Sequence, residues 1–457
     1  MPRWKQNSSE GTGTRFPRIG GSTLRVARGT SGDESRCLAA VWGCEWETGR
    51  VGVIRVLLSE GSSLSAREVV TCLGPLGYDV EALDPDPLCI GRLSRWVQKV
   101  HRCPTSGSDP LGYLDLVKRV VDERRIDVVL PTHEQAWLFA AARQLLTRVP
   151  LAVADIASFG RVQSKIEFAR LLDEIGLPQP QWRLVADQSD LTELPFPYWL
   201  KAAFSTAGRG VRHVSDEQSR TAATNELLGE TTEPFMAQEP AAGQYGQVQA
   251  LFDRGRLVAA HTSVQVGTGI GPSAAARLSV DHPQPRRDVA MLGEALAWHG
   301  GLTLDYLHRQ GAPQYIECNP RTVEPANATA SGVNIPDLQV RLTMGEELPS
   351  PPRVGTAGVH THGTIALLLG AAAYQGSRRA VVAELARAFT RRGCYHASTE
   401  QLTPVLRDPP SGAALAFVIA RSLASPKQAT EVASKAISRY SITPQTIETV
   451  ATATRQI

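Results

Sequence analysis

The chain has 457 residues, a formal net charge of +3, 42% hydrophobic residues and 20% charged residues. This length predicts about two to four compact units, and the composition is that of an ordinary globular protein. The balanced charge argues against a nucleic-acid surface, and no apolar run reaches the ~18 residues of a membrane span. Seven cysteines, at 37, 44, 72, 89, 103, 318 and 394, form no CxxC pair. That disfavours a disulfide framework or a zinc site and leads us to expect a cytoplasmic protein.

Residues 1–50 are rich in Gly, Ser, Thr and Arg without periodicity and read as a disordered extension. From 51 to 158 strands alternate with helices. Strands are expected at 53–58, 78–83 and 126–131, and helices at 65–76, 111–124 and 134–146. The pattern predicts a parallel, helix-covered sheet. Thr132-His133-Glu134 falls just past a strand's carboxyl end, where such sheets bind ligands, although Thr132 would also serve as a helix cap.

A second unit, 159–350, opens with a helix at 165–175 stopped by Gly176. Strands and polar turns follow, then the loop Gly267–Pro272, a helix within 286–300 and a hairpin over 302–319. The loop lacks the spacing of a dinucleotide fingerprint. Residues 351–457 are rich in Ala and Arg, with helical spacing at 378–391 and 426–439. His360 and His362 read as a structural or solvent-facing pair in preference to a metal site. The expected fold class is α/β, turning to α+β within 159–350.

The hairpin carries the most chemistry. Side chains two apart on a strand share a face, so Thr303 pairs with Asp305 and Glu317 with Asn319, while Cys318 points into the core. If the turn centres on Gly311, Asp305 lies opposite Glu317 and Thr303 opposite Asn319, with Cβ atoms ~5 Å apart. Two carboxylates that close repel unless a cation lies between them. With the Asn319 amide they form an all-oxygen set suited to Mg²⁺. The chain has 41 Arg but 7 Lys, and between Lys118 and Lys427 only Lys165 and Lys201 occur. Lys165 stands at a helix start and Lys201 at a strand end, before Ala202–Val211, which contains Gly208 and Gly210. A lysine is a point charge for phosphate, and glycines let backbone N–H groups approach phosphate oxygens.

Asp305 followed by Glu317-Cys318-Asn319-Pro320-Arg321 resembles the metal-binding hairpin of the ATP-grasp superfamily, to which biotin carboxylase, D-alanine–D-alanine ligase and the carbamoyl-phosphate synthase large subunit belong. The resemblance covers 120–350 well and 51–120 more loosely. It implies that 51–158 precedes an ATP-grasp domain of two α+β lobes at 159–350. It further implies ATP phosphates on Lys165, Lys201 and the flap at Gly208 and Gly210, and adenine on the strand ending Gln238-Glu239-Pro240-Ala241. Adenine would meet the Glu239 carbonyl and the Ala241 N–H. Mg²⁺, or Mn²⁺, would lie on Asp305, Glu317 and Asn319, and Arg321 and Arg277 would act on phosphoryl or carboxylate groups. Departures are Ala202 where the family has proline, few flap glycines, and no acid at Gln244–Gln247 for ribose, which implies either that the contact passes to Gln244 or Gln247 or that nucleotide affinity is weak.

The implied activity is ligation of a carboxylate, an amino acid or other small acid, to an amine through an acyl phosphate. The implied partners are small molecules, without nucleic acid or membrane, and a homodimer is an open expectation. Two alternatives are phosphorylation of bicarbonate or carbamate as in carbamoyl-phosphate synthase, and a non-catalytic ATP-binding protein.

Overall fold

Three fully buried residues, Val56–Leu58, make β1 (Arg55–Leu58) the centre of the first sheet. The computed structural model describes residues 52–456 apart from 187, 192–193, 206–209, 231–233, 272, 430 and 432–440. The expectations for residues 1–50 and for Gly208, and most of the helical pattern at 426–439, therefore lie outside the described residues. Residues 53–457 form one unit, to which everything below refers.

β1 leads into α1 (Leu64–Leu73), whose N-cap Ser63 accepts from the Ala66 amide. Gly77 takes the turn after it with φ of 84°. β2 (Asp79–Asp84), β3 (Val97–Arg102), α2 (Pro110–Arg124) and β4 (Val128–Leu130) follow, and the strands form a parallel sheet in the order β3-β2-β1-β4. The expected parallel sheet is present, with β3 as an addition. β3 is a half-exposed edge strand, Val-Gln-Lys-Val-His-Arg, with no apolar run to announce it. Thr132 does not cap the next helix, α3 (Gln135–Ala141). Its amide and hydroxyl instead bind Ser59 and Glu60 at the end of β1.

α4 (Ile156–Gln163) and α5 (Lys165–Ile175) meet at Ser164, which caps α5. β5 (Trp182–Val185), β6 (Tyr198–Ala202), β7 (Val211–Val214), α6 (Glu217–Glu230) and β8 (Phe235–Gln238) build a small antiparallel sheet ordered β5-β8-β6-β7. The large sheet comes next: β9 (Gln244–Asp253), β10 (Arg256–Thr268), β11 (Ala274–Ser279), α7 (Pro283–Ala295), β12 (Gly300–Arg309) and β13 (Ala312–Asn319). After α8 (Ala326–Ala330) and α9 (Ile335–Thr343), the C-terminal region adds β14 (Arg353–Val354), β15 (His360–His362) and β16 (Ser398–Glu400) to the same sheet. Its main path runs β13-β12-β9-β10-β11-β15-β16. His362 Nδ1 lies 2.8 Å from the Ser398 hydroxyl, in keeping with a structural role.

α10 (Thr364–Gln375), α11 (Arg378–Thr390) and α12 (Ser411–Ala424) pack together, and α13 (Pro444–Thr454) returns to α2 and α3. The fully buried pair Arg67–Asp408, at 2.6 Å, ties α1 to this C-terminal region. Among the described residues no helix is long and apolar enough to cross a membrane.

Candidate active site

The β12–β13 hairpin turns through Gln310 and Gly311, both with positive φ, the mark of a two-residue type I′ turn. From that turn Tyr306 pairs with Tyr315. A regular ladder would next set Ile316 opposite Asp305 and send Glu317 to the other face. A β-bulge at Ile316 absorbs one residue instead, and Asp305 pairs with Glu317 and Thr303 with Asn319. Tyr315 can then bury its ring beside Tyr306 and bind Asp288 from its hydroxyl at 2.8 Å, while Glu317 joins Asp305. Cys318 is buried with Leu304 in the core, as expected.

Two lysines converge on this hairpin. The Lys165 amide donates to the Ala203 carbonyl at 2.8 Å, which fastens the start of α5 to the end of β6. The Lys165 ammonium reaches Glu317 Oε1 at 2.9 Å and the Ser205 carbonyl at 3.2 Å. Lys201 donates to the buried side-chain oxygen of Gln238 at 2.5 Å. Gly210 accepts from the Ala202 amide at 2.8 Å. A Cβ at Gly210 would fall 2.6 Å from that of Ser205, so glycine is what lets the two ends of the flap close together. Glu239 is exposed and gives its amide to the Gln181 carbonyl. Ala241 lies three residues before Gln244, where β9 begins.

The electrostatics are asymmetric within the pair of acids. Burial, with Glu317's charge adding to it, pushes Asp305 up to about 6 against the hydrogen bonds from Gln247 and Tyr245. Burial also acts to raise Glu317, but Lys165, Lys201 and Arg321 outweigh it and hold that carboxyl below its ordinary value. Burial lowers Lys201 to about 8, with Lys165 adding to the effect and Glu317 opposing it. Asn319 Nδ2 donates to Asp305 Oδ2 at 3.2 Å, which leaves its amide oxygen as an acceptor. Among the described residues no group of three His, Cys, Asp or Glu is placed to hold a metal. A cation here would therefore need that amide oxygen. Two carboxylates and one amide oxygen fit a hard ion that keeps waters and phosphate oxygens as its other ligands.

Strand pairing extends the site across the sheet. Asp305 lies beside Gln247 of β9, Gln247 beside Ser263 of β10, and Ser263 beside Ser279 of β11. Thr303, Gln249 and His261 form a parallel row, and Gln265 pairs with Arg277. These odd-numbered side chains share one face, which is polar and almost wholly buried. The even-numbered face, with Val248, Ala250, Leu302 and Leu304, enters the main hydrophobic core.

Gln247 donates to Asp305 Oδ1 at 2.9 Å. The exposed Gln244 donates to the Gln265 carbonyl. Arg277 is brought not to the hairpin but to Glu324, at 2.7 Å. Glu324 holds a positive φ of 46°, rare for a residue with a side chain. Tyr245 and Glu324 had no local signal, and the resemblance singles out Gln247 for ribose and not for the hairpin. Their roles depend on pairings between distant strands and on the loop after β13.

No family model matches the chain. Its sequence is similar to the carbamoyl phosphate synthase large chain of Clostridium perfringens, 22% identical over 255 residues, covering 52% of this chain and 24% of that one. It is also similar to an acetyl-CoA carboxylase of Saccharomyces cerevisiae, 28% identical over 166 residues, covering 33% of this chain and 7% of that one. The chain thus spans about a quarter or less of the curated relatives it matches. Among solved structures, the biotin carboxylase domain of a Hydrogenobacter thermophilus 2-oxoglutarate carboxylase, in complex with MgADP and bicarbonate, superposes with a TM-score of 0.52. Identity is 17%, covering 67% of this chain and 73% of that one. N5-carboxyaminoimidazole ribonucleotide synthetase from Thermus thermophilus gives 0.51 and 19%, covering 67% and 81%. The chain has the ATP-grasp fold.

Proposed function

We propose that this chain is an ATP-dependent ligase. A substrate carboxylate attacks the γ-phosphate of ATP to form an acyl phosphate, and an amine then takes the acyl group, releasing ADP and phosphate. The observation that supports this most is the convergence of Lys165, Lys201 and Arg321 on Glu317, in a hairpin that also presents Asp305 and Asn319. Three positive charges around an oxygen-ligand set suit a polyphosphate, and phosphoryl transfer depends mostly on positioning and charge stabilisation.

In this proposal Lys165 and Lys201 hold phosphate oxygens, with Gly208 and Gly210 as further ATP-binding positions. The Glu239 carbonyl and the Ala241 N–H read adenine beside Gln238. Mg²⁺ held by Asp305, Glu317 and Asn319 would supply charge neutralisation between nucleotide phosphates, with Mn²⁺ as a substitute. Arg321 steadies the transferring phosphoryl group, and Arg277 holds an anionic group of a substrate. The carboxylate is a small acid, an amino acid first among the candidates. The likeness to carbamoyl phosphate synthase favours bicarbonate as the alternative to be tested beside it.

The test is ADP release by the purified full chain with ATP and Mg²⁺, across pooled carboxylates, bicarbonate and amines. Turnover that requires an acid and an amine, and that disappears in Glu317→Ala, is the expected result. A wild-type chain that binds no nucleotide overturns the proposal. ADP release with bicarbonate alone selects the second reading.

A further inference from the structure

One side chain beside the hairpin is only half satisfied. Gln247 lies in β9 directly across from Asp305 and is almost fully buried. Its Nε2 donates to Asp305 Oδ1 at 2.9 Å. An ionised carboxylate only accepts hydrogen bonds, so it fixes which end of the amide faces it. The Gln247 side-chain oxygen is thereby turned away from the carboxylate, and it is buried without a partner. Ser263 of β10, paired with Gln247 on its other side, does not satisfy it, because the Ser263 hydroxyl is also buried without a partner. Buried polar atoms normally find partners. An orphaned acceptor beside a candidate metal ligand calls for a donor that arrives with the metal.

The local sequence, Tyr245-Gly246-Gln247, builds this contact. A Cβ at Gly246 would fall 2.6 Å from the Tyr306 ring, so the glycine lets that ring lie against β9 on the core face. Tyr245 and Gln247 both turn to the opposite face, with Asp305. Tyr245 gives Asp305 a further hydrogen bond, and Asn319 Nδ2 donates to Asp305 Oδ2 at 3.2 Å. Three donors therefore hold one carboxylate. Two of them, Gln247 and Asn319, carry an oxygen on the same amide, so each can meet Asp305 and something bound to Asp305 at once. The Asn319 oxygen belongs to the candidate ligand set. Gln247 stands one strand farther from Glu317, beyond that set. A hard cation such as Mg²⁺ keeps waters on the sides that protein ligands do not fill, and those waters donate outward.

We propose that Gln247 is a positioning residue for the cation of the hairpin: its N–H sets the Asp305 carboxylate, and its oxygen accepts from a water that the cation keeps. Outer partners of this kind orient the direct ligands, and their loss typically weakens metal binding about 10–100-fold. A neutral amide suits the position, since a third carboxylate beside Asp305 and Glu317 would add repulsion. The inference rests on the reading of the hairpin as a metal site.

The experiment measures Mn²⁺ binding to the full chain at saturating ADP, read from the free-ion signal in electron paramagnetic resonance. ADP affinity without metal is measured separately, by calorimetry in EDTA. Gln247→Met keeps the length of the side chain and lacks both ends of the amide. It should bind Mn²⁺ about tenfold more weakly or worse, with ADP affinity in EDTA unchanged. Gln249→Met is the control. That side chain lies two residues along the same face but donates to the Val323 and Glu324 carbonyls, and its loss should leave Mn²⁺ affinity at the wild-type value. If Gln247→Met does not melt cooperatively, Gln247→Asn replaces it with the same expectation, because it draws both amide groups back by one methylene. The inference is overturned if the folded variant binds Mn²⁺ like the wild type, if it loses ADP affinity in EDTA to the same extent, or if Gln249→Met weakens Mn²⁺ equally. A wild type that binds ADP but no Mn²⁺ overturns the metal hairpin as well, whereas equal Mn²⁺ binding by wild type and variant overturns this inference alone.

Discussion

The two ends of the polar sheet face solve different electrostatic problems. At the β12–β13 end, three cations surround Glu317, and that carboxyl is held below its ordinary value. At the β11 end, one guanidinium serves two acids, and burial with Glu324's repulsion pushes Glu68 up to about 8. An excess of positive charge suits a polyanion, whereas at the β11 end Glu68 is largely protonated at neutral pH and one guanidinium answers one charged acid. The difference also lies in construction. The hairpin end is built within a few residues of chain, with Lys165 and Lys201 brought to it, whereas Glu68, Arg277 and Glu324 come from three distant segments.

The largest expected effect breaks the first end. Glu317→Ala removes the residue on which all three cations converge, and ligase turnover should fall about a hundredfold or more, read as ADP release at saturating ATP. An unchanged rate would mean that the hairpin is not the reacting centre. Next, Arg277→Ala leaves Glu324 and Glu68 without their guanidinium. Breaking a buried pair from one side costs about 3 kcal/mol or more, so the variant should melt measurably lower in thermal unfolding. A melt like the wild type would show that the acids are already satisfied without the guanidinium.

Lys201 gives the comparison its pH dependence. Its ammonium titrates at about 8 in the free protein, and a bound phosphate stabilises the charged form and raises that value. Affinity for Mg²⁺ and an ATP analogue should be level below about pH 8. It should then fall by up to about tenfold per pH unit above it, because binding must recover a lost proton. Lys201→Arg keeps its charge throughout this range and should flatten the step. A wild-type profile that is level to pH 9.5 would show that Lys201 does not meet the phosphates.

The hairpin end was legible in sequence because its signals are local. Asp305, Glu317 and Asn319 are spaced for one ladder, and in an arginine-rich chain the two lysines stand out at element boundaries. Yet the pairing is reached by a different path from the one the sequence suggests. The turn is not centred on Gly311; it comprises Gln310 and Gly311, which shifts the ladder, and the bulge at Ile316 shifts it back. The pattern of small and charged residues carried the correct partners without the correct turn. The β11 end was legible only in part. Arg277 stood out by resemblance, but Glu324 gains its role from a left-handed backbone position and Glu68 from the packing of α1 against the loop after β13. Neither is written in periodicity. The edge strand β3 escaped for a related reason, since a half-exposed strand has no apolar run to mark it.

The smallest effect separates turn from bulge. Both central residues of the hairpin turn have positive φ, 52° at Gln310 and 82° at Gly311. Glutamine pays a steric cost there that asparagine largely avoids, and Asn-Gly is the preferred pair for this turn. Gln310→Asn should stabilise the chain by about 0.5 kcal/mol, seen as a small rise in melting temperature. ATP turnover should stay unchanged, because the bulge lies between the turn and the acids and fixes their register independently. A stabilised variant with lost turnover would mean that the turn and the bulge act together. The alignment of Asp305 with Glu317 would then depend on strain in the turn, not on the residue absorbed at Ile316.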